Sequence, residues 1–390
     1  MTNVYFGDCQ VGWLSGQFRY SQEWLEWEGA FPVSASIPLR NGKIKDIQGK
    51  SMNWFMGLIP ENIEYKVLAL AFHATSYADR ALEVIGKDTA GAFSFFEKQT
   101  YPEPKQMPRV TTKANIGEHL RRIRDKVCGP DYFSACLSGS FPKTTYALGE
   151  NGRWYLPAWN VPSTHVFKPT IKRTRNLDYV EHVVSLTARR VGLDAVETLL
   201  EQFGGTRTFV AKRYDRVRGA DGTVARLHQE DLLQALGKAR FLKYDIDIPE
   251  LIRAIRRLDP DAEAEAWLRL AFFVAIGNTD AHAKNWAFLI DKDGHHLAPA
   301  YDLISMAAYP EYGSNLSMPV GEQSDYQKVE MSDWRAVSEV TDADWSMVKQ
   351  AVEKVNDTIG AAFDAARLEV GANNEQLDLI TKNLKSNRRG

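Results

Sequence analysis

The segment 276–305 constrains the fold of this 390-residue chain more than any other part of the sequence. It contains a short apolar run, residues 286–290, then the turn-forming residues 291–294 and a second run, 297–301. Short apolar runs that are bounded by such a turn are typical of buried strands. The order therefore predicts an antiparallel hairpin of two strands.

Polar residues flank the predicted hairpin. Asn285 precedes its first strand, Asp302 follows its second, and Asp280 lies before Asn285. Since the strands run side by side, we expect Asn285 and Asp302 at the open end, where an amide oxygen and a carboxylate can bind one hard cation. The spacing Asp-x-x-x-x-Asn is that of protein-kinase catalytic loops, and kinases place their metal-binding Asp after a strand. The pattern predicts phosphoryl transfer with Mg²⁺. An equally simple interpretation is that residues 278–280 only cap a helix end or a turn.

Composition indicates a globular protein of two or three domains, with 44% apolar and 25% charged residues. A net charge of −2 gives no basic field for nucleic acid, so DNA is expected only indirectly, through a partner. Three cysteines without a C-x-x-C pair do not indicate a disulfide framework or a zinc site. The N-terminus lacks a signal-peptide pattern and no apolar run approaches membrane-span length, so we expect a cytoplasmic protein without membrane contact.

Strand patterns predominate early in the chain and helix patterns late. Strands are predicted at 3–6, 11–14, 17–20, 34–37, 92–96, 154–156, 164–169 and 209–215. Helices are predicted at 62–71, 115–127, 177–191, 228–236, 248–258, 262–276, 333–337, 342–366 and 374–384, with a loop at 313–321. Proline-rich residues 101–108 are the clearest boundary. We therefore predict three domains, namely a small α/β unit at 1–108, a β-rich lobe at 109–225 and a helical lobe at 226–390.

Candidate nucleotide-binding residues lie in the predicted β-rich lobe. The small-residue turn Ser138-Gly139-Ser140 is a weak candidate for a phosphate loop. Lys168 lies on a strand about one hairpin later, where a kinase keeps the lysine that contacts the ATP phosphates, although strand lysines are usually solvated. Glu181 is its candidate partner, or an acid favoured by the helix dipole.

The strand at 209–215 is a candidate hinge whose backbone would bond an adenine. Arg213, Asp215 and Arg216 alternate in charge there. Pairing of these three side chains with one another is the simpler interpretation.

Nine segments of the sequence resemble one known family when they are taken together. They are residues 18–25, 33–39, 85–92, 137–143, 164–168, 213–216, 226–231, 278–285 and 300–302. In this order they resemble HipA, the kinase toxin family of bacterial HipBA toxin–antitoxin modules, over most of the chain. The resemblance implies an α+β, bilobal, protein-kinase-like fold. Its β-rich N-lobe would carry an extra N-terminal α/β subdomain, and its C-lobe would be mainly α-helical.

The resemblance also implies a Ser/Thr protein kinase that uses ATP and Mg²⁺. Asp280 would be the catalytic Asp that orients the attacking hydroxyl, with Asn285 and Asp302 as metal ligands. Lys284 would add positive charge at the transferred group, or would only be solvated. The implied ATP-binding residues are Lys168, Ser138, Gly139, Glu181, Lys212, Arg213 and Tyr214.

Partners and regulation follow from the same resemblance. A HipB-like helix-turn-helix antitoxin would neutralise the toxin and bind operator DNA, and an aminoacyl-tRNA synthetase such as glutamyl-tRNA synthetase would be a family-typical target. HipA proteins can silence themselves by phosphorylating a loop serine. The commonest position for it is Cys136 here. Ser138 is therefore our candidate for self-inactivation, with Ser140 nearby.

Three other functions are compatible with parts of the pattern. A small-molecule phosphotransferase uses similar loop chemistry, and a catalytically inactive kinase-like scaffold would act only by binding a repressor. A metal hydrolase would have to assemble Asp280, His282, His295, His296 and Asp302. The two adjacent histidines are predicted at the turn end of the hairpin, remote from its open end, so that set is not expected to converge.

Overall fold

A computed structural model describes residues 1–39, 49–59, 81–83, 86–97, 107–125, 142–171 and 174–386. The helices in this part of the chain are α1 (Gln22–Glu26), α2 (Lys50–Gly57), α3 (Lys113–Arg124), α4 (Leu177–Val191), α5 (Leu232–Leu236), α6 (Ile248–Leu258), α7 (Glu263–Ile276), α8 (Met331–Val340), α9 (Trp345–Val370) and α10 (Glu375–Ser386). In these ranges no helix combines the length and the apolar character that crossing a membrane requires.

The strands complete the description of the elements. They are β1 (Thr2–Phe6), β2 (Cys9–Leu14), β3 (Phe18–Tyr20), β4 (Phe93–Glu97), β5 (Val110–Thr111), β6 (Thr144–Leu148), β7 (Trp154–Tyr155), β8 (His165–Pro169), β9 (Thr198–Phe203), β10 (Thr206–Lys212), β11 (Arg216–Arg218), β12 (Val224–Arg226), β13 (His228–Asp231), β14 (Ala287–Asp291), β15 (Gly294–Leu297), β16 (Asn315–Val320) and β17 (Gln323–Asp325).

The chain divides into two compact units. Unit 1 consists of Met1–Pro169, Glu201–Arg240 and Phe288–His295. Unit 2 consists of Thr170–Leu200, Phe241–Ala287 and His296–Gly390. Each unit is assembled from three separate stretches of sequence, so neither can be cut from the chain as one continuous piece.

Unit 1 contains a four-stranded antiparallel sheet in the order β3-β2-β1-β4. The tight turn between β1 and β2 falls at residues 7–8, between the strands predicted at 3–6 and 11–14. One face of the sheet buries an aromatic core, whose largest members are Trp24, Trp54, Phe55, Phe93 and Phe95. Rings of this size bury much apolar area per residue, which allows a small sheet to hold a stable core.

A second sheet of unit 1 has six strands in the order β5-β7-β6-β8-β10-β9. The strands predicted at 154–156 and 164–169 are not neighbours in this sheet, because β8 pairs with β6 and β10, and β7 lies on the far side of β6. Helix α3 packs on this sheet through Ile116 and Leu120. Gly117 makes the close approach possible, since a Cβ there would lie 2.0 Å from the Phe203 carbonyl oxygen.

Unit 2 is mainly helical. Helices α4, α6 and α7 begin and end within one residue of the predicted positions. The 26-residue α9 packs against α4 and α7, and it buries Val348, Val352, Val355, Ile359 and Phe363 at helical spacing. The predicted helices near the C-terminus are confirmed as α8, α9 and α10, each longer than its pattern indicated.

The structure contains the hairpin predicted in segment 276–305, but its second strand begins earlier in the chain than predicted. Strand β14 turns through residues 292–293 directly into β15, so the return covers residues 294–297 and not 297–301. Ala300 instead bonds with residues 194–196: its N–H donates to the Asp194 carbonyl at 2.7 Å and its carbonyl accepts from Val196 at 3.0 Å. The Ala298 N–H still reaches the Ala287 carbonyl at 2.9 Å, which extends the pairing towards Asn285 and Asp302.

Three further predictions of secondary structure are wrong. Residues 228–231 form β13, next to β14 in a sheet, and only residues 232–236 are helical. Residues 34 and 37 form an isolated bridge across a turn, not a strand. The predicted loop at 313–321 contains β16, which pairs with β17. For β13 the partner is β14, a strand from a remote part of the chain, which leaves no local pattern.

Other predictions fall outside the described residues. They are the helix at 62–71, most of the connector at 101–108, the end of the helix at 115–127, and the loop with Cys136, Ser138, Gly139 and Ser140.

Candidate active site

A glycine ends α7 and directs the chain into the loop of residues 278–285, here called the acidic loop. Gly277 has φ +72°, a left-handed conformation that residues with a Cβ rarely adopt. The N–H of Asn278 donates to the Phe273 carbonyl at 2.8 Å, which closes the helix end. A Cβ on Gly277 would also meet the Tyr326 ring at 3.0 Å. Glycine is therefore the residue that both the backbone and the neighbouring ring permit here.

The backbone of Asp280 is fixed from three sides within the acidic loop. Its N–H donates to the Asn278 side-chain oxygen at 3.2 Å. Its carbonyl accepts from the His282 N–H at 2.8 Å and from Asn285 Nδ2 at 3.1 Å. The Asp280 carboxylate accepts a further bond, at 2.8 Å from the Tyr244 hydroxyl. The hydrogen bonds of the loop thus hold the backbone that carries this carboxylate.

Asn285 ends a short 3-10 turn, Ala283–Asn285, and it is 5% exposed. Its N–H donates to the His282 carbonyl at 2.9 Å, and its side-chain nitrogen is committed to Asp280. Because the nitrogen is the donor in that bond, the side-chain oxygen is the remaining acceptor. The turn therefore leaves an amide oxygen that can serve as a ligand.

The chain returns to the acidic loop through residues 301–306, here called the return segment. The Tyr301 hydroxyl donates to the Lys284 carbonyl at 2.5 Å. At the other end of the segment, Ser305 Oγ donates to the Ile276 carbonyl at 2.5 Å, and the Met306 N–H donates to the Gly277 carbonyl at 2.8 Å. The return segment is therefore hydrogen-bonded at both of its ends, to the acidic loop at one and to the end of α7 at the other.

Asp302 lies between these ties and has an unusual backbone. Its φ is +57°, one of three positive values among the described non-glycine residues, and its side chain is exposed. Aspartate tolerates this conformation better than most residues, yet such backbone strain is most common at functional sites. The Tyr301–Lys284 bond joins the residue before Asp302 to the residue before Asn285. This bond links the two segments that carry Asn285 and Asp302, and the proximity of their side chains stays a prediction.

The pKa of His282, in the acidic loop, depends on the charged groups around it. Burial lowers the pKa of its imidazole, and Lys243 lowers it further. The carboxylates of Asp280 and Asp302 both act on the pKa in the opposite direction. Carboxylates from two different segments therefore act on the pKa of one buried ring.

The residues present suit a magnesium ion. Mg²⁺ binds hard oxygen ligands, and in phosphoryl-transfer sites it takes only one or two from the protein while phosphates and water supply the rest. The Asn285 amide and the Asp302 carboxylate both offer hard oxygen atoms of this kind. No group of three or more His, Cys, Asp or Glu residues suited to a metal occurs in the described ranges.

Lys284 is buried, at 5% exposure, so the interpretation of this lysine as a solvated side chain is wrong. It lies between Ala283 and Asn285 in the 3-10 turn. The role of Lys284 at the transferred group stays a prediction.

The remaining predicted residues are distributed over both units. Lys168 lies on β8 of unit 1, opposite Phe209 of β10, with its Nζ 5.4 Å from the Phe209 ring centre. Glu181 lies on α4 of unit 2 and is 3% exposed. The pairing of Lys168 with Glu181 stays a prediction.

Lys212 ends β10, and Arg213 and Tyr214 follow it. The Arg213 N–H donates to the Thr164 carbonyl at 2.9 Å, and the Tyr214 hydroxyl donates to Gln229 at 2.7 Å. The hinge assignment of these three residues stays a prediction.

Arg213 belongs to a buried ion cluster in unit 1 that the sequence revealed only in part. Asp215 bonds with Arg213 at 2.7 Å and with Arg216 at 3.0 Å, so the predicted pairing among alternating charges is confirmed. Asp88 also contacts both arginines, and Arg226 as well at 3.6 Å. The nearby arginines hold the pKa of both carboxyls below the usual range, against the effect of burial. No local pattern connects Asp88 with residues more than a hundred positions away.

Comparison with solved structures defines the class of the fold. The chain matches a chain of the Shewanella oneidensis complex of the toxin–antitoxin proteins HipA and HipB with operator DNA. The TM-score is 0.83, the match covers 100% of this chain and 96% of the other, and the sequence identity is 21%. The fold is α+β, bilobal and protein-kinase-like, as the sequence predicted.

Comparison of sequences identifies the family. A profile of the HipA N-terminal domain matches residues 2–96, and a profile of the HipA-like C-terminal domain matches residues 135–365. The chain belongs to the HipA family.

Two relatives match most of the chain. Y4mE of Sinorhizobium fredii, named as a predicted kinase, is 30% identical over an alignment of 360 residues, and the match covers 88% of this chain and 85% of that protein. The serine/threonine-protein kinase toxin HipA of S. oneidensis is 28% identical over an alignment of 360 residues. The match covers 83% of this chain and 79% of that protein.

Proposed function

We propose that this protein is an ATP-dependent serine/threonine protein kinase and the toxin of a type II toxin–antitoxin pair. The observation that carries the proposal is the 2.5 Å bond between Tyr301 and the Lys284 carbonyl, which joins the acidic loop to the return segment. A catalytic carboxylate and two metal ligands are the parts that phosphoryl transfer requires. The kinase names of two relatives support the same reaction.

The proposed reaction is in-line attack of a Ser or Thr hydroxyl on the γ-phosphate of ATP. Asp280 orients the hydroxyl and accepts its proton, and Lys284 stabilises the negative charge of the transferred group. Asn285 and Asp302 would hold Mg²⁺, which when bound neutralises charge on the phosphates.

Other residues would bind ATP, as in the family pattern. Lys168, with Glu181 as its proposed partner, would contact the phosphates. The backbone of residues 212–214 would bond the adenine. Ser138 and Gly139 would contribute backbone N–H groups to the phosphates, and we propose Ser138, or Ser140 next to it, as the site of self-inactivation.

The partner we propose is a HipB-like helix-turn-helix antitoxin. The S. oneidensis structure contains HipA together with HipB and operator DNA. The net charge of −2 offers this chain no basic field of its own for DNA, so DNA contact would come through the antitoxin. A protein such as an aminoacyl-tRNA synthetase would be the substrate, in the cytoplasm.

Two variants of unit 2 test the proposal. We expect Asp280→Ala to lower the rate at which radiolabelled ATP labels protein in a bacterial extract by about 100-fold or more, since a positioned proton acceptor contributes a factor of that order. Asp302→Ala should have a similar effect and should also raise the Mg²⁺ concentration needed for half-maximal rate. Asp357→Ala removes an exposed carboxylate from α9 and is the matched control.

The result separates the proposal from its rivals. Wild-type labelling of protein no faster than that of Asp280→Ala would contradict kinase activity and favour the inactive scaffold. Transfer of label only to small molecules of the extract would favour the small-molecule phosphotransferase. Thermal unfolding of each variant with and without ATP shows whether any loss of rate is a loss of folding.

A further inference from the structure

Tyr244, which the sequence did not single out, is bonded to the carboxylate of Asp280. Its hydroxyl donates to Asp280 Oδ1 at 2.8 Å. Among the described residues no other side chain donates a hydrogen bond to this carboxylate. The hydrogen bonds within the loop hold the backbone of Asp280, whereas the bond from Tyr244 acts on the carboxylate itself.

Tyr244 is itself held in place, although it is 51% exposed. Its ring meets the His282 ring edge-on, with 5.3 Å between the ring centres. The neighbouring Lys243 carbonyl accepts from the Ala283 N–H at 3.1 Å, which ties this stretch to the acidic loop. Two residues later Ile246 is buried at 2% exposure. The phenol is therefore a fixed support for Asp280 and not a freely rotating surface group.

We propose that Tyr244 is a positioning residue for phosphoryl transfer. Its hydroxyl fixes Asp280 Oδ1, and Oδ2 accepts the hydrogen bond of the attacking Ser or Thr hydroxyl. A carboxylate has room for this, because each oxygen accepts about two hydrogen bonds. The phenol stays protonated throughout and exchanges no proton with the substrate. The inference rests on the proposed kinase function and adds a residue to it.

The effect of such a support on rate can be large. Loss of a hydrogen bond to a charged group corresponds to a rate change of roughly tenfold to a hundredfold. A carboxylate that is free to rotate spends part of its time in orientations that do not receive the hydroxyl proton. Because the proposed contact acts on the carboxylate and not on the nucleotide, we expect the loss in kcat and not in KM for ATP.

Tyr244→Phe tests the proposal, with Tyr312→Phe as the matched control. Both substitutions remove one phenolic hydroxyl, and Tyr312 is a tyrosine of unit 2 with similar exposure, 50%. Using radiolabelled ATP and bacterial extract, we expect Tyr244→Phe to lower the maximal rate about tenfold or more, with KM for ATP within about twofold of wild type and an unchanged thermal unfolding midpoint. Tyr312→Phe should match wild type throughout.

Two additional variants separate the hydroxyl from the ring. Tyr244→Ala should lose only slightly more rate than Tyr244→Phe, because the hydroxyl carries the effect. In an Asp280→Ala background, Tyr244→Phe should cause no further loss, since the group it orients is gone. A wild-type rate in Tyr244→Phe together with a loss only in Tyr244→Ala would overturn the proposal in favour of ring packing.

The remaining outcomes are also decisive. A faster Tyr244→Phe enzyme would mean that the phenol blocks Asp280, which overturns the positioning role while leaving the kinase function intact. Wild-type protein that transfers no more label than Asp280→Ala would overturn the kinase function and the positioning role together. The wild-type arm of the experiment thus distinguishes the two failures.

Discussion

His228 is a histidine that the fold keeps neutral. Its Nε2 bonds to the Val33 carbonyl at 2.8 Å, and its ring centre lies 4.0 Å from that of Phe93. Its Nδ1 has no hydrogen-bond partner in the described part of the chain. The pKa of this imidazole is lowered from 6.5 to about 4, mainly by burial and also by His295, while the Val33 bond and Asp215 act in the opposite direction. From its residue type alone, His228 would be expected to be an exposed group that gains a proton at mildly acidic pH. Its buried environment keeps the imidazole neutral instead.

Stability should therefore fall as the pH decreases from about 6.5 to about 4. In that window the unfolded chain binds a proton at His228 and the folded chain does not, so protonation favours unfolding. The shift of 2.5 pKa units, from 6.5 to about 4, corresponds to at most about 3 kcal/mol. Urea unfolding at a series of pH values measures the slope. His228→Gln should flatten it, whereas His296→Gln, at an exposed position on β15, should leave it unchanged.

Helix α7 shows how one element positions several site groups. Its C-terminal glycine starts the acidic loop, and the carbonyls of Ile276 and Gly277 at this end receive Ser305 and Met306 of the return segment. The direction in which α7 ends therefore determines where both segments lie. A change at this helix end should affect folding and the chemistry of the site together.

Gly277→Ala should lower stability by about 1–2 kcal/mol through its left-handed backbone alone and by more because the new methyl group meets the Tyr326 ring. The rate of phosphoryl transfer should fall as the acidic loop moves. Gly371→Ala is the matched control, since Gly371 ends α9 with φ +63° and a methyl group added there would have no neighbouring atom within 4 Å. Denaturant unfolding and the labelling assay should show a larger loss for Gly277→Ala, and a loss of rate for that variant alone. Equal effects of the two substitutions would disprove the role of the Tyr326 contact.

At the scale of the whole molecule, unit 1 joins the N-terminal part of the chain to residues 213–226 through buried charge. Asp88 comes from the first hundred residues, whereas Asp215 and the three arginines follow β10. Three guanidinium groups face two carboxylates, which leaves one buried positive charge in excess. Main-chain carbonyls of Thr89 and Gly91 accept hydrogen bonds from these arginines and offset part of that excess.

Asp88→Asn should destabilise the protein by about 3–5 kcal/mol, because it leaves three buried arginines with a single carboxylate. Equilibrium urea unfolding at neutral pH measures the change. Asp293→Asn, in the exposed turn between β14 and β15, should change stability by no more than about 0.5 kcal/mol. A similar small value for Asp88→Asn would mean that Asp215 and the carbonyls suffice to neutralise the cluster.

The sequence determined those features whose cause is local. The helices α4, α6 and α7 follow from apolar periodicity and from capping residues within a few positions of their ends, and the spacing of Asp280 and Asn285 is fixed within one short loop. The α+β fold followed from the order of such local elements together with the resemblance to HipA. The division into three domains and the roles of the site residues stay predictions.

Only the tertiary structure decided which distant residues support the site and the core. Tyr244 lies 36 positions from Asp280, Tyr301 lies 17 from Lys284, and Arg216 lies 128 from Asp88. Strand β13 was mistaken for a helix for the same reason, since its neighbour β14 comes from a remote part of the chain. Periodicity and spacing report the conformation of neighbours along the chain, whereas these contacts depend on packing that brings separate segments together.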